Sequence, residues 1–150
     1  MNFKKILIAV DASENSMRAV RYVGEIVGSS PGFEVTLLHV AVSPDRDLFP
    51  DEQVWKAKKQ EMQANMELFF RKSRTALIEF GVPSQNIHER YIQSGGGSLS
   101  HQILGVQESD GFGTIVIGRR GVSKEEEFLF GSVSNKIVHY AKGCTVWVVE

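Results

Sequence analysis

Three glycines and a serine near the end of the chain have a spacing that suits a phosphate-binding loop. The segment GRRGVSKEEEFLFGS places glycines at Gly118, Gly121 and Gly131 and a serine at Ser132. Glycine lets the backbone approach a phosphate where a Cβ atom would collide, and it can adopt the positive φ that aligns successive N–H groups. Gly131 and Ser132 then open a predicted helix, whose free N–H groups and positive dipole end favour an anion. A triphosphate fits this chemistry.

The charged side chains of this segment nearly balance. Its basic residues are Arg119, Arg120 and Lys124, and its acids are Glu125, Glu126 and Glu127. A carboxylate ~10 Å from a phosphate charge costs only ~0.4 kcal/mol in water, whereas micromolar binding is worth ~8 kcal/mol. We therefore expect the acids to weaken phosphate binding without preventing it. Their carboxylates either form a solvated face or help to hold a divalent cation on the phosphates.

A serine hydrolase is the enzymatic alternative. Residues 96–100 read GGSLS between a predicted strand and a helix, and Ser98, Asp110 and His139 follow in the chain order of an α/β-hydrolase triad. The final glycine of the nucleophile motif is absent, and His139 falls inside a predicted helix. Ser98 as the N-cap of the helix that follows it is the simpler interpretation.

Other kinds of site find little support in the sequence. The glycines do not form a Walker A loop, which would need four residues between its first glycine and a Gly-Lys-Ser/Thr end. Histidines occur at positions 39, 88, 101 and 139, on separate predicted elements and without metal-ligand spacing, so we expect no structural metal. Cys144 begins a predicted strand, where a small buried residue is the expected role.

Five strands are predicted to alternate with four helices. Apolar and β-branched runs indicate the strands, at Lys5–Val10, Glu34–Val40, Ile87–Ile92, Gly113–Ile117 and Cys144–Val149. Helical periodicity predicts helices over about 13–27, 51–80, 98–107 and 132–141, with Gly81 and Gly143 as stop signals. This alternation is typical of a three-layer α/β/α fold around a parallel sheet, in which ligands bind at the carboxyl ends of the strands.

The second predicted helix carries a long apolar stripe. The stripe consists of Trp55, Met62, Met66, Phe69, Phe70, Leu77 and Phe80. We expect it to pack against the core, because a helix must bury one face; a hydrophobic ligand groove is the alternative.

Length and composition predict one cytoplasmic domain. The chain has 150 residues, 42% of them hydrophobic, which suffices for one core without disulfides. A formal charge of −1 excludes a general attraction for nucleic acid or an anionic membrane. Cys144 is the single cysteine, and the apolar run in the opening MNFKKILIAVD is too short for a signal peptide or a membrane span.

Several blocks of the sequence together resemble the ATP-binding branch of the universal stress protein family. In chain order they are ILIAVDASENSMRAV, LLHV, TIVIGRRG, FLFGSVSNKIV and CTVWVV. The most specific part is the spacing glycine, two residues, glycine, nine residues, glycine-serine, together with an aspartate that ends the first strand. The resemblance implies a Rossmann-like fold of the adenine nucleotide alpha hydrolase type, with strand order 3-2-1-4-5.

The resemblance also implies a nucleotide site. Asp11 would lie beside the nucleoside with the backbone of Ala9, and Val40 would offer main-chain groups to the adenine. The phosphates, carrying Mg²⁺ or Mn²⁺, would lie against the glycine loop and the start of the helix that follows it. The residues implied there are Gly118, Arg119, Gly121, Val122, Ser123, Gly131, Ser132 and Val133.

The function implied is that of an ATP-binding regulatory module, with hydrolysis absent or slow. The resemblance further implies a homodimer formed through the last strand, Cys144 to Val149, where Trp147 would belong to an exposed apolar edge. The alternative is a stress protein that binds no nucleotide and acts only through its dimer surfaces.

Overall fold

The strands and helices alternate along the chain, in a computed structural model that describes residues 2–119 and 133–150. The strands are β1 (Asn2–Ala9), β2 (Glu34–Ala41), β3 (Ile87–Gln93), β4 (Phe112–Gly118) and β5 (Thr145–Val149). The helices are α1 (Glu14–Val27), α2 (Glu52–Glu79), α3 (Leu99–Asp110) and α4 (Val133–Tyr140), and a 3₁₀ turn covers Ser84–Asn86.

The five strands form one parallel sheet in the order β3-β2-β1-β4-β5. β1 is central, with Ile8 opposite Leu37 of β2 on one side and Val116 of β4 on the other. Apolar side chains alternate across the sheet, so that Ile6 and Ile8 pack with α1 and α2, whereas Leu7 packs with α3 and α4. The predicted three-layer α/β/α fold with strand order 3-2-1-4-5 is confirmed, and β3 lies at a sheet edge as expected.

Polar caps fix where three helices begin. The hydroxyl of Ser13 accepts a hydrogen bond from Ser16 N at the start of α1, and that of Ser98 accepts one from His101 N at the start of α3. The carboxylate of Asp51 accepts from Gln53 N and Val54 N at the start of α2. Each cap satisfies N–H groups that have no partner inside the helix. The cap at Ser98 is the one that the sequence predicts.

Helix α2 is longer than the sheet that it covers. Its 28 residues span about 42 Å, whereas the eight residues of β2 span about 26 Å. The buried residues all lie in its second half: Met66, Phe69, Phe70, Ser73 and Leu77. The first half therefore extends past the carboxyl ends of the strands. Among the described helices, none is long and apolar enough to cross a membrane.

One residue of the predicted apolar stripe is exposed in the structure. Phe80 follows the end of α2 and is 39% exposed, and one side of its ring lies over Gly24 of α1, where a Cβ atom would come within 2.6 Å of it.

Gly118 ends β4 where the strand passes close to the first turn of α1. A Cβ atom at position 118 would lie 2.6 Å from the carbonyl oxygen of Asn15 and 2.8 Å from its carbon. Both are backbone atoms, which cannot move aside as a flexible side chain can. The absence of a side chain at Gly118 is therefore a requirement of packing between β4 and α1.

Replacing Gly118 by alanine should destabilise the fold. We expect Gly118→Ala to lower the free energy of unfolding by about 1–3 kcal/mol, because the methyl group forces the α1 backbone away from β4. Urea unfolding followed by circular dichroism measures the change. Gly105→Ala in α3 is the control: a Cβ there meets nothing within 4 Å, and alanine should stabilise the helix by up to about 1 kcal/mol. Equal stability of Gly118→Ala and the wild type would contradict the packing argument.

Ser73 in α2 is a buried hydroxyl without a hydrogen-bond partner among the described residues. Its side chain is 0% exposed, next to the apolar residues that anchor α2. A buried hydroxyl that forms no hydrogen bond costs free energy, since it has given up its contacts with water.

We expect Ser73→Ala to raise the free energy of unfolding by about 1 kcal/mol and the melting temperature by about 3 °C. Ser100 provides a matched control, because it is almost as deeply buried, at 4% exposure, yet its Oγ lies 3.2 Å from Ser98 Oγ. Ser100→Ala should lower the melting temperature. A lower melting temperature for Ser73→Ala would mean that its hydroxyl contributes to stability.

Candidate functional site

A cavity of about 250 Å³ opens at the carboxyl ends of β1, β2 and β4. It lies where the strand order reverses, because the connection after β1 leads to β2 on one side while β4 lies on the other. The crevice at such a reversal is the usual ligand site of open α/β sheets. Helix α3 and the first turn of α4 close the cavity on one face of the sheet, and Met62 of α2 reaches it from the other.

Most of the cavity wall is apolar. The strands contribute Ala9, Val10, Leu38, Val40 and Ile117, and α3 contributes Leu99 and Ile103. Ala9, Leu38, Val40 and Ile117 converge because alternate residues of parallel strands face the same helix layer, whereas Val10 follows β1 and packs in the core on the other face. A wall of this kind suits a flat ring with little charge.

A polar network forms the α1 end of the cavity. Asp11 Oδ1 accepts hydrogen bonds from Ser13 N and Ser16 Oγ, each at 2.9 Å, and Ser16 Oγ accepts one from Asp11 N at 2.8 Å. Ser13 in turn accepts from Ser16 N at 3.2 Å. The three side chains line the cavity and at the same time hold the first turn of α1. Asp11 therefore stabilises the start of α1 and lines the cavity at the same time.

His39 joins β2 to the end of β1. Its Nδ1 lies 2.7 Å from the carbonyl oxygen of Val10, and Val10 N donates to Leu38 O at 2.8 Å. Because a carbonyl oxygen only accepts, Nδ1 must carry the proton, so the neutral imidazole has its acceptor at Nε2. His39 also lines the cavity and packs against Tyr91, with ring centroids 5.5 Å apart.

The structure brings five of the sequence-predicted site residues together around the cavity: Ala9, Asp11, Val40, Gly118 and Val133. Arg119 does not line it. Its backbone N–H donates to Val149 O at 2.7 Å and its guanidinium lies 3.5 Å from Glu150, so it is tied to the end of β5. The predicted residues Gly121, Val122, Ser123, Gly131 and Ser132 lie outside the described residues.

Several lining residues do not appear among the sequence predictions. They are Val10, Ser13, Ser16, Leu38, His39, Val42, Met62, Leu99, Ile103, Ile117 and Ser134. Ser13 and Ser16 could have been found, since they follow Asp11 directly at the start of a helix. Leu99 and Ile103 read as ordinary core residues, and only the packing of α3 across β2 and β4 turns them toward the cavity.

The residues of the hydrolase alternative do not meet. Ser98 caps α3 and bonds to Ser100, whereas Asp110 lies at the other end of that helix, about 18 Å away. The Asp110 carboxylate pairs with Arg90, and this guanidinium is the main reason that the pKa of Asp110 lies below its usual range. A triad requires its three groups within hydrogen-bond reach, so Ser98 lacks the partners proposed for it.

Metal-binding groups are also sparse. Over residues 2–119 and 133–150, no cluster of three or more His, Cys, Asp or Glu side chains could hold a metal ion. Burial raises the pKa of the Cys144 thiol, which keeps it in the protonated form that metals bind poorly.

A curated protein matches almost the whole chain. A universal stress protein of Bacillus subtilis, YxiE, is 26% identical over 99% of both chains. The Universal stress protein family profile matches residues 2–150.

Solved structures share the fold. The universal stress protein UspA of Lactobacillus plantarum superposes with a TM-score of 0.76 at 19% identity, over 100% of this chain and 99% of that one. A universal stress protein of Archaeoglobus fulgidus in complex with dAMP gives 0.65 at 18% identity, over all of both chains. A universal stress protein in complex with cAMP gives 0.69 at 19% identity, over 97% of this chain and 95% of that one. With the family profile matching from residue 2 to residue 150, this chain belongs to the universal stress protein family.

Proposed function

We propose that this chain binds an adenine nucleotide, with ATP as the ligand, in the cavity at the carboxyl ends of β1, β2 and β4. The observation that carries the proposal is the position of the cavity at the reversal of strand order, with Asp11, Val40 and Gly118 around it. Two proteins of the same fold, solved in complex with cAMP and dAMP, support an adenine nucleotide as the ligand class.

The apolar part of the cavity suits the adenine ring. Leu38, Val40 and Ile117 provide wall from the strands, and Leu99 and Ile103 provide it from α3. These side chains provide apolar contact area but no hydrogen-bond donors or acceptors, so in the proposal main-chain groups near Val40 recognise the edge of the base. A site of this kind prefers a flat base and discriminates through a few polar groups.

The polar end of the cavity suits the sugar and the first phosphate. The Asp11 carboxylate can accept from a ribose hydroxyl, and the hydroxyls of Ser13, Ser16 and Ser134 lie along the same wall. The first turn of α4 at Val133 adds its N–H groups, which favour an anion. In the proposal the remaining phosphates, with Mg²⁺ or Mn²⁺, meet the segment from Gly118 to Val133.

The bound ATP acts as a regulatory ligand, and its hydrolysis is slow or absent. Among the described residues Asp11 is the acid that lines the cavity, and its Oδ1 already accepts two hydrogen bonds. His39 donates its Nδ1 proton to Val10 at the β2 side, away from α4. Neither group is placed as a general base for water near the terminal phosphate.

Filling the cavity should remove nucleotide binding. In Leu99→Trp the larger indole occupies the space proposed for the adenine, so we expect the affinity for Mg-ATP to fall by more than about ten-fold, or 1.4 kcal/mol. Isothermal titration calorimetry at up to millimolar ATP measures it. Leu104→Trp is the matched control: Leu104 is a partly buried leucine of the same helix that does not line the cavity.

The two variants should differ in their affinity for ATP: we expect Leu104→Trp to bind ATP like the wild type and Leu99→Trp to bind it much more weakly. If the wild type binds no ATP at millimolar concentration with Mg²⁺, the chain belongs with the stress proteins that bind no nucleotide. Mass analysis of small molecules extracted from the purified protein gives an independent answer, because a retained adenine nucleotide identifies the ligand directly.

A homodimer through β5 is the second part of the proposal. β5 is an edge strand, and large apolar side chains are exposed on it and on α4: Val148 at 42%, Val138 at 56% and Tyr140 at 62%. An unpaired apolar edge favours pairing with another strand. The expectation that Trp147 is exposed at this edge is wrong, since its ring packs edge-on against Tyr22, 5.8 Å between centroids, and is half-buried.

Val148 is consequently a better position than Trp147 for a test of the dimer. Val148→Lys places a charge on the exposed edge without disturbing the packing of Trp147, so we expect sedimentation to change from dimer to monomer. Leu48→Lys, at a loop residue that is 74% exposed, is the charge-matched control and should leave the mass unchanged. A monomeric wild type, or a Val148→Lys variant that still sediments as a dimer, would exclude β5 as the interface.

A further inference from the structure

A second cavity, of about 270 Å³, lies between the overhanging half of α2 and the ends of β2 and β3. We call it the α2–β3 cavity. The strands and the segment after β2 provide Ala41, Val42, Ser43, Pro44, Tyr91 and Gln93, and α2 provides Trp55, Lys56, Lys59, Gln60, Met62 and Gln63. It exists because α2 is longer than the sheet and none of residues 52–65 is buried.

The side of α2 that lines the α2–β3 cavity includes a lysine, which is unusual for a helix face turned to a sheet. Lys59 and Met62 follow Trp55 at intervals of four and seven residues, which places them on one side of the helix. In the second half of α2 the same side carries Met66 and Phe69, which are buried in the core. In the first half of α2, which the sheet does not cover, this side of the helix carries Lys59 instead of an apolar residue.

Aromatic rings and ordered polar groups form the walls. The indole N–H of Trp55 donates to Pro44 O at 2.8 Å, which fixes the ring against the segment after β2. On the β3 side, Gln93 Nε2 donates to Ala41 O at 3.1 Å and to Ser43 Oγ at 3.0 Å. Burial, reinforced by the charge of Glu67, raises the pKa of the Tyr91 phenol, so its hydroxyl remains a donor. These contacts build the walls before any ligand is present.

Positive charge is in excess around Trp55. The guanidinium of Arg46 stacks on the indole ring at 3.7 Å and the ammonium of Lys59 lies 4.7 Å from the ring centroid. Glu52 is the acid that pairs with Arg46, at 2.6 Å, and with Lys56, at 3.7 Å. Within the described part of the chain, Lys59 has no carboxylate at salt-bridge distance. The cavity thus combines an aromatic wall with an ammonium group that has no carboxylate partner.

We propose that the α2–β3 cavity binds a small planar organic anion, an aromatic carboxylate, with the ring against Trp55 and Tyr91 and the carboxylate at Lys59 and Lys56. A flat ring gains apolar contact with the two aromatic side chains. The carboxylate gains charge-assisted hydrogen bonds from the lysines. A volume near the lower end of small-molecule sites suits a molecule of one or two rings.

The α2–β3 cavity is separate from the cavity proposed for the nucleotide, although the two adjoin at Val42 and Met62. β2 and α2 contribute lining residues to both cavities, whereas β1, β4, α1, α3 and α4 line the nucleotide cavity and contribute no lining residue to the α2–β3 cavity. The present proposal does not rest on ATP binding.

Binding of 1-naphthoate to the full chain tests the proposal, with the uncharged 1-naphthamide as a probe of the same shape. We expect calorimetry to show saturable binding of 1-naphthoate, at least about five-fold tighter than that of 1-naphthamide, since one close charge contact is worth roughly this factor in water. Lys59→Gln should remove most of that preference for the anion. Lys58→Gln is the matched control, because Lys58 neighbours Lys59 on α2 but pairs with Glu61 at 3.5 Å and does not line the cavity.

Three results would overturn the proposal: equal affinity for the acid and the amide, equal loss in Lys58→Gln and Lys59→Gln, or loss of 1-naphthoate binding in Leu99→Trp. The last would mean that the probe occupies the nucleotide cavity. Retained 1-naphthoate binding in Leu99→Trp, together with its loss in Lys59→Gln, supports the α2–β3 cavity whether or not the wild type binds ATP. Unfolding midpoints equal to that of the wild type verify that the variants are folded.

Discussion

The central position of β1 is the constraint on which the rest of the structure depends. β1 pairs with β2 on one side and β4 on the other, and its buried residues Ile6, Leu7 and Ile8 contribute to both cores. Right-handed crossovers then place α1 and α2 on one face and α3 and α4 on the other. The connections diverge where β1 and β4 end, and within residues 2–119 and 133–150 no helix or strand fills the space between them. The position of the main cavity therefore follows from the strand order and does not depend on which side chains line it.

The same constraint brings β4 and α1 close together. Ser13 accepts a hydrogen bond from Ser16 N in the first turn of α1, and Asp11 and Ser16 bond to each other, so the start of the helix is tied to the end of β1. Its first turn then lies against Gly118, where a Cβ atom would meet the backbone of Asn15. Residues that would bind a ligand are in this way also residues that fix the relative positions of two elements. Substitutions at Asp11 or Gly118 would therefore change the stability of the fold as well as ligand binding. Comparing Leu99→Trp with Leu104→Trp separates the two effects.

The sequence was sufficient for the order and type of the elements. Apolar runs identified β1, β2 and β4 because these strands are buried between the helix layers, although β1 begins at Asn2 and not at the predicted Lys5. That difference arises because residues Asn2 to Lys5 are exposed or half-buried and give no hydrophobic signal. The edge strands β3 and β5 were also predicted, although most of their residues are exposed or half-buried. In the site, Asp11, Val40 and Gly118 could be predicted because each ends a recognisable strand. The approach of Leu99, Ile103 and Met62 to the cavity, and the gap beneath α2, depend on how the helices are placed and tilted over the sheet, which periodicity does not encode. The contacts of Arg119 with Val149 and Glu150 could not be predicted either, since its position next to the glycines does not indicate them.

The unequal halves of α2 also affect its dynamics. Its second half is anchored by Met66, Phe69, Phe70 and Leu77, so opening it would expose buried apolar surface. Its first half has no buried residue and is held by the Asp51 cap, exposed ion pairs and the contact of Trp55 with Pro44. Amide hydrogens in that half can therefore exchange through local fraying at a small free-energy cost, whereas those near Phe70 require a much larger opening. The helix behaves as two segments of different protection, and the boundary between them lies close to Met62, where the two cavities adjoin.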